Sequence, residues 1–236
     1  DAAGHSNLGG LLEYLGYRVD YLPADSNLPL YGFSGLYAGV VTWMTSGPSQ
    51  DAPAFNRFIN ARLDEQVPVV FFSGLPVEDK LLLKRLGLKR DTPPATQVLT
   101  VTHQDKALLG AFEAPVVPRS RDLAAVSVLP NGPTPALSLS GANGAVFNPV
   151  VVGKWGGIAL APYLLESNNE RSRWILDPFA FLQASLQLPA QPRPDTTTEN
   201  GRRIATVHID GDGFPSRAEV RGTPEEAAGA VYMFCI

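Results

Sequence analysis

Two carboxylates one residue apart, Asp210 and Asp212, close the run Arg203-Ile204-Ala205-Thr206-Val207-His208-Ile209-Asp210-Gly211-Asp212-Gly213-Phe214. The β-branched and apolar character of residues 204–209 predicts a strand, and the two glycines allow a tight turn after it. Acids are thereby placed at a strand end, where α/β proteins assemble their chemistry. Such a pair can divide labour. One carboxylate can ligate a divalent cation that keeps open positions, while the other stays off the metal and takes a proton from water. The same pair could serve as nucleophile and acid/base in phosphoryl transfer, or as the D-x-D metal–nucleotide site of a sugar transferase. It could also be a plain acidic turn, which Asp and Gly both favour. That last reading leaves unexplained why a buried-looking strand carries His208 and ends in two acids.

Composition narrows the classes. The 236 residues are 44% hydrophobic and 18% charged, with a formal net charge of −4. These are the proportions of an ordinary globular protein, and a negative balance argues against a general nucleic-acid binder, which needs clustered Lys and Arg. No apolar run is long enough to predict a transmembrane helix. No basic-plus-apolar leader opens the chain, so a signal peptide is expected to have been removed or to lie upstream. Cys235 is the single cysteine, which excludes an internal disulfide and a multi-cysteine zinc site. Both ends read as cut ends, and the chain reads as an internal segment of a larger protein.

The elements that must position these groups alternate at first between helix and strand. Residues 7–15 have helical apolar spacing, and Gly16 stands where a helix-ending glycine belongs. Residues 17–22 alternate and predict a strand, and residues 39–44 and 67–72 predict two more, largely apolar as for strands covered on both faces. Residues 52–65 predict a helix with Phe55, Phe58, Ile59 and Leu63 on one face, capped by Asp51. Residues 77–86 predict another, ended by Gly87. Short strands are expected at 97–102, 124–129 and 136–140. Residues 145–152 and 156–164 should form a hairpin around Gly153-Lys154-Trp155-Gly156, and residues 173–188 a closing helix. The Pro- and Thr-rich residues 189–201 read as a linker. The expected organisation is an α/β domain over 1–188, a linker over 189–201 and the start of a second domain over 202–236.

The βαβα rhythm implies a parallel sheet with right-handed crossovers. It resembles a flavodoxin-like or class I glutamine amidotransferase-like domain, a mostly parallel sheet with helices on both faces, whose first strand would precede Asp1. That family carries a cysteine in a tight strand-to-helix turn, with a histidine and an acid behind it. Here the matching turn is Phe72-Ser73-Gly74, with serine in place of cysteine and without the first glycine of G-x-S-x-G. His5 and His103 are the candidate partners, and an ordinary turn is the simpler reading. Gly9-Gly10 lacks the rest of a phosphate loop, and Gly141-Ala142-Asn143-Gly144 reads as a hairpin turn. Trp43 and Trp174 read as core. Trp155, between Lys154 and a glycine, is expected to be exposed and is the candidate contact for a sugar substrate.

The segment from Arg203 to Glu219 resembles the opening of the NodB-type polysaccharide deacetylases. With the amidotransferase-like layout and the Pro/Thr linker before it, the chain resembles the proteins that hydrolyse and deacetylate the Pel exopolysaccharide of biofilms. In that family the motif is spread as D-x-D. Carried over, the resemblance implies Asp210 as general base and Asp212 as metal ligand, with a divalent metal, zinc by preference, completed by an H-x-x-x-H pair that this chain does not contain. It further implies a periplasmic location, an amino-sugar exopolysaccharide as substrate, an outer-membrane export or scaffold protein as partner, and a non-catalytic first domain that scaffolds or contacts sugar. Two alternatives stay open. One is a carbohydrate- or protein-interaction module without catalysis. The other is a haloacid-dehalogenase-type phosphatase using Asp210 and Asp212, although Phe214 stands where that family has Thr or Val.

Overall fold

The computed structural model describes residues 8–22, 28–44, 52–92, 98–121, 123–141, 144–168 and 171–189. The chain divides into the units Asp1–Arg193 and Pro194–Ile236, and every described residue belongs to the first.

That unit is a mixed α/β domain. Its strands are β1 (Val40–Trp43), β2 (Val69–Ser73), β3 (Leu88–Arg90), β4 (Thr100–Gln104), β5 (Val126–Val128), β6 (Thr134–Ser140), β7 (Val146–Gly153), β8 (Gly156–Leu160), β9 (Leu165–Asn168) and β10 (Arg171–Trp174). Its helices are α1 (Gly10–Tyr14), α2 (Ala52–Asp64), α3 (Lys80–Arg85), α4 (Lys106–Leu109) and α5 (Pro178–Leu186). Six strands form one sheet in the order β1-β2-β8-β7-β6-β4, and β3 with β5 and β9 with β10 form two ribbons.

The sheet has two halves. β1, β2 and β8 are parallel, whereas β8–β7, β7–β6 and β6–β4 are antiparallel. Connection length explains the change. A helix crossover lets β1 run parallel to β2, while the two-residue turn Lys154-Trp155 forces β7 and β8 to oppose. The turn through Gly141 and Gly144 does the same for β6 and β7, with Gly144 donating to the Gly141 carbonyl at 3.0 Å. The parallel character is therefore confined to three strands.

Strand alternation builds two cores, one on each face. Val70 and Phe72 of β2 join Leu137, Val150, Ala159, Phe181 and Leu182, so α5 covers this face. Val69 and Phe71 join Phe55, Phe58, Ile59, Leu82 and Ile158, so α2 and α3 cover the other. Fully burying each such side chain stabilises by about 1.5–3 kcal/mol. α3 starts at Asp79, whose carboxylate accepts from the Leu82 amide at 2.7 Å.

Two expected elements differ. Residues 17–22 are not a strand, so among the described residues the outer edge of β1 has no partner. The closing helix is shorter than 173–188. Trp174 pairs with Leu165 in the β9–β10 ribbon, and the helix begins only after Asp177, which caps Phe179 and Ala180 at 3.0 Å each with Pro178 in the first turn. The apolar spacing carries no boundary between a ribbon and the helix that follows it, but the Asp-Pro pair does.

One buried guanidinium anchors a polar cluster. Arg62 of α2 has no exposed surface, and its guanidinium lies 4.0 Å from the centre of the Phe33 ring and 4.9 Å from that of Phe58. Its Nη2 donates to Glu65 Oε1 at 2.8 Å and to the Tyr31 carbonyl at 3.1 Å. Glu65 in turn accepts from the Phe33 amide at 2.6 Å and the Ser34 amide at 3.2 Å. The pair thus pins the segment preceding β1 onto α2. The Phe33 amide, with Arg62 behind it, holds the Glu65 carboxyl below its ordinary value of 4.5 against the opposing effect of burial.

Two predictions follow from the packing. A Cβ at Gly156 would sit 1.8 Å from the Val69 carbonyl oxygen, at a backbone φ of +128°. Gly156→Ala should therefore cost at least about 3 kcal/mol in urea unfolding. Gly10→Ala, with nothing within 4 Å of the new atom, should be neutral or stabilise by up to about 1 kcal/mol. The second concerns acid. A depressed folded pKa stabilises above the unfolded value and ceases to as pH falls through the folded one. Glu65→Gln should melt earlier than the parent at pH 7, and the gap should close as pH falls below 4.5; thermal melts across that range check it.

Candidate functional site

The three parallel strands end side by side, at Trp43, Ser73 and Leu160. Ser73 has φ +67°, a left-handed backbone in a residue other than glycine. The Gly74 amide donates to the Phe72 carbonyl at 2.8 Å, which closes a three-residue γ-turn of the rare, strained hand around Ser73. The turn is locked on both sides. The Ser73 carbonyl accepts from the Ala161 amide at 2.9 Å, and a Cβ on Gly74 would meet the Met44 carbonyl at 2.6 Å. No described residue hydrogen-bonds the Ser73 hydroxyl. Strain of this kind persists only where surroundings over-determine it, and it concentrates at functional sites.

Beside this edge lies an aromatic group. Trp43 stacks on Phe72 at 6.1 Å and meets Trp174 edge-on at 6.3 Å. Both tryptophans are half-buried. The Trp43 indole Nε1 is buried and has no hydrogen-bond partner among the described residues. Trp174 is clamped by Glu113, whose carboxylate accepts the Trp174 amide at 2.6 Å and whose own amide donates back to the Trp174 carbonyl at 3.1 Å.

Next to Trp174 runs an ionic chain. Glu166 accepts from Arg119 at 2.6 Å and from Arg173 at 2.5 Å. The two guanidinium groups, Arg119 first, hold the Glu166 carboxyl below the ordinary glutamate range. The Tyr163 hydroxyl accepts from the Arg119 amide at 2.8 Å and donates to the Arg119 carbonyl at 2.9 Å, which fastens this segment beside the end of β8. Burial pushes the Tyr163 phenol up from its ordinary value, so it stays neutral and keeps its proton to donate.

The residues singled out by sequence fall in three places. Asp210 and Asp212, with His208, His5 and Cys235, lie outside the described residues. His103 lies exposed on β4, at the far edge of the sheet from β1, so it does not join Ser73. Trp155 is half-buried rather than exposed. Its Nε1 donates to the Leu86 carbonyl at 2.9 Å and its ring lies 6.3 Å from that of Phe71. The Lys154-Trp155 turn supplies a ring that seals the core under β8, because the indole meets a carbonyl exposed at the end of α3.

Sequence reasoning missed the Arg62–Glu65 pair and the Arg119–Glu166–Arg173 chain. The first had a signal, an arginine among the apolar positions of α2; the second joins residues 47 and 7 apart and had none. Among the described residues no group of three or more His, Cys, Asp or Glu is placed to hold a metal, and no helix is long and apolar enough to cross a membrane. Comparison with protein-family models, curated proteins and solved structures finds no match.

Trp155→Phe keeps the ring and removes the bond to Leu86. It should lower unfolding free energy by about 1–2 kcal/mol through the carbonyl left unsatisfied, measured by chemical denaturation.

Proposed function

We propose that this chain belongs to an exported, periplasmic protein that removes acetyl groups from an amino-sugar exopolysaccharide of the Pel type, a matrix polymer of biofilms. In this reading residues 202–236 open a metal-dependent deacetylase domain. The upstream α/β domain, flavodoxin-like or amidotransferase-like in its finer classification, scaffolds it or contacts the polymer. An outer-membrane export or scaffold protein is the expected partner.

The observation that carries the reading is the pair Asp210 and Asp212, one residue apart, directly after the strand-like residues 204–209. The donor chemistry fits half of a cation site. A carboxylate is an accepted ligand of zinc, and imidazoles are the usual companions. Asp212 is the ligand and Asp210 the base in this assignment. A divalent metal, when bound, supplies Lewis-acid polarisation of the acetyl carbonyl and acidifies water. Asp210 must remain off the metal, so that its lone pair can accept the proton of the water that adds to the acetyl carbon. The C–N bond then breaks, acetate leaves, and the amine takes up the proton.

The test uses the complete parent protein with its H-x-x-x-H segment. Asp212→Ala should abolish metal binding measured by titration. Asp210→Ala should retain metal and lose acetate release by about 10²–10⁴-fold. Normal deacetylation by both variants overturns the assignment, and magnesium-dependent phosphate release in place of acetate release would reassign Asp210 as a nucleophile.

A further inference from the structure

Residues 28–38 lead into β1 and lie against α2. Between Leu28 and Ala38, Phe33 alone is buried, while Leu30, Tyr31 and Leu36 are exposed. The backbone–backbone hydrogen bonds of the stretch run from the Leu36 and Tyr37 amides to the Phe33 carbonyl, at 2.9 Å each, and stay within it. Its polar ties to α2 pass through two side chains. Arg62 donates to the Pro29 carbonyl at 3.5 Å and the Tyr31 carbonyl at 3.1 Å, and Glu65 accepts the amides of Phe33 and Ser34. Tyr37 adds an exposed bond to Asp20 at 3.1 Å.

Closure of this stretch also carries a cost. The Arg62 guanidinium is sealed from water, and its Nε is buried with no hydrogen-bond partner among the described residues. Desolvation of a charge offsets much of what its ion pair gains, and opening would return that N–H to water. A stretch with one buried side chain, no ladder to a neighbouring strand and a partly unsatisfied anchor belongs to the low-stability end of a fold.

We propose that residues 28–38 form a strap that opens and recloses on α2 as one unit while the sheet stays folded, with Glu65 as its latch. One carboxylate holds three groups at once: the Phe33 amide, the Ser34 amide and the guanidinium of Arg62. Arg62 in turn holds the two carbonyls nearer the start of the strap. Loss of the carboxylate therefore loosens both parts. On opening, Phe33 leaves the Phe58 ring, whose centre lies 5.7 Å from its own, and the guanidinium is uncovered. The strap is a conformational device that controls solvent access to Arg62.

Amide hydrogen exchange of the chain, followed residue by residue by NMR at near-neutral pH and low urea, tests this. In the parent, the Leu36 and Tyr37 amides should share one opening equilibrium with Phe33 and Ser34. That opening should be insensitive to low urea, and all four should exchange faster than Val70 and Phe71 in the middle of the sheet. Glu65→Gln should speed all four by about tenfold, the value of one hydrogen bond to a charged group, although Leu36 and Tyr37 bond to Phe33 and not to Glu65. Trp155→Phe, outside the strap, should speed Val70 and Phe71 and leave the strap amides unchanged. These results together establish the strap. It is overturned if the strap amides exchange at the rate of Val70 and Phe71, if Trp155→Phe speeds them, or if they show no protection at all. It is overturned equally if Glu65→Gln changes none of the four, or only Phe33 and Ser34.

Discussion

The domain depends on one close approach: β8 lying between β2 and β7. Gly156 and Gly157 make it possible. A side chain on Gly156 would enter the Val69 backbone, and one on Gly157 would meet Ser185 at 2.5 Å and the Val151 carbonyl at 2.7 Å. Because these positions are bare, β8 can pair with β2 on one side and β7 on the other. Everything else follows from that insertion. It joins the parallel half of the sheet to the antiparallel half, completes both cores, and brings Leu160 beside Ser73.

The two halves do different work. The antiparallel half is made of short hairpins, whose register is set by their turns. Its residues Leu137, Leu139, Val150 and Val151 are fully buried. The parallel half ends in a strained serine and in an indole N–H that has no partner among the described residues. Such groups cost stability locally, and the surrounding packing sustains them. The neighbouring ionic chain has a different character. Glu166 is shared by two arginines that are 38% and 52% exposed in their side chains. Pairs so open to solvent add little stability, and their geometric effect is to hold the β9–β10 ribbon against the segment around Arg119.

Much of the local structure was legible in the sequence for simple reasons. β2 is a solid apolar run, α2 has three buried aromatic or aliphatic residues at helical spacing, and the turn at Lys154-Trp155 is flanked by glycines. The strand expected at residues 17–22 did not form, since period-two alternation supplies a face but not a neighbour to pair with. Trp155 illustrates the same boundary. Its flanking lysine and glycines suggested exposure, but the acceptor that draws its ring inward belongs to Leu86, 69 residues earlier.

From the residues alone came the mixed α/β class, the positions of most elements in the described residues, and the acids Asp210 and Asp212 as a candidate pair for chemistry. These are properties of composition, spacing and side-chain type, which a linear chain carries without folding. The division of the sheet, the burial of Arg62 against Phe33 and the strain at Ser73 were decided only in three dimensions. Each arises where segments distant in sequence compete for the same space and the same hydrogen bonds, and no local pattern records which of them prevails.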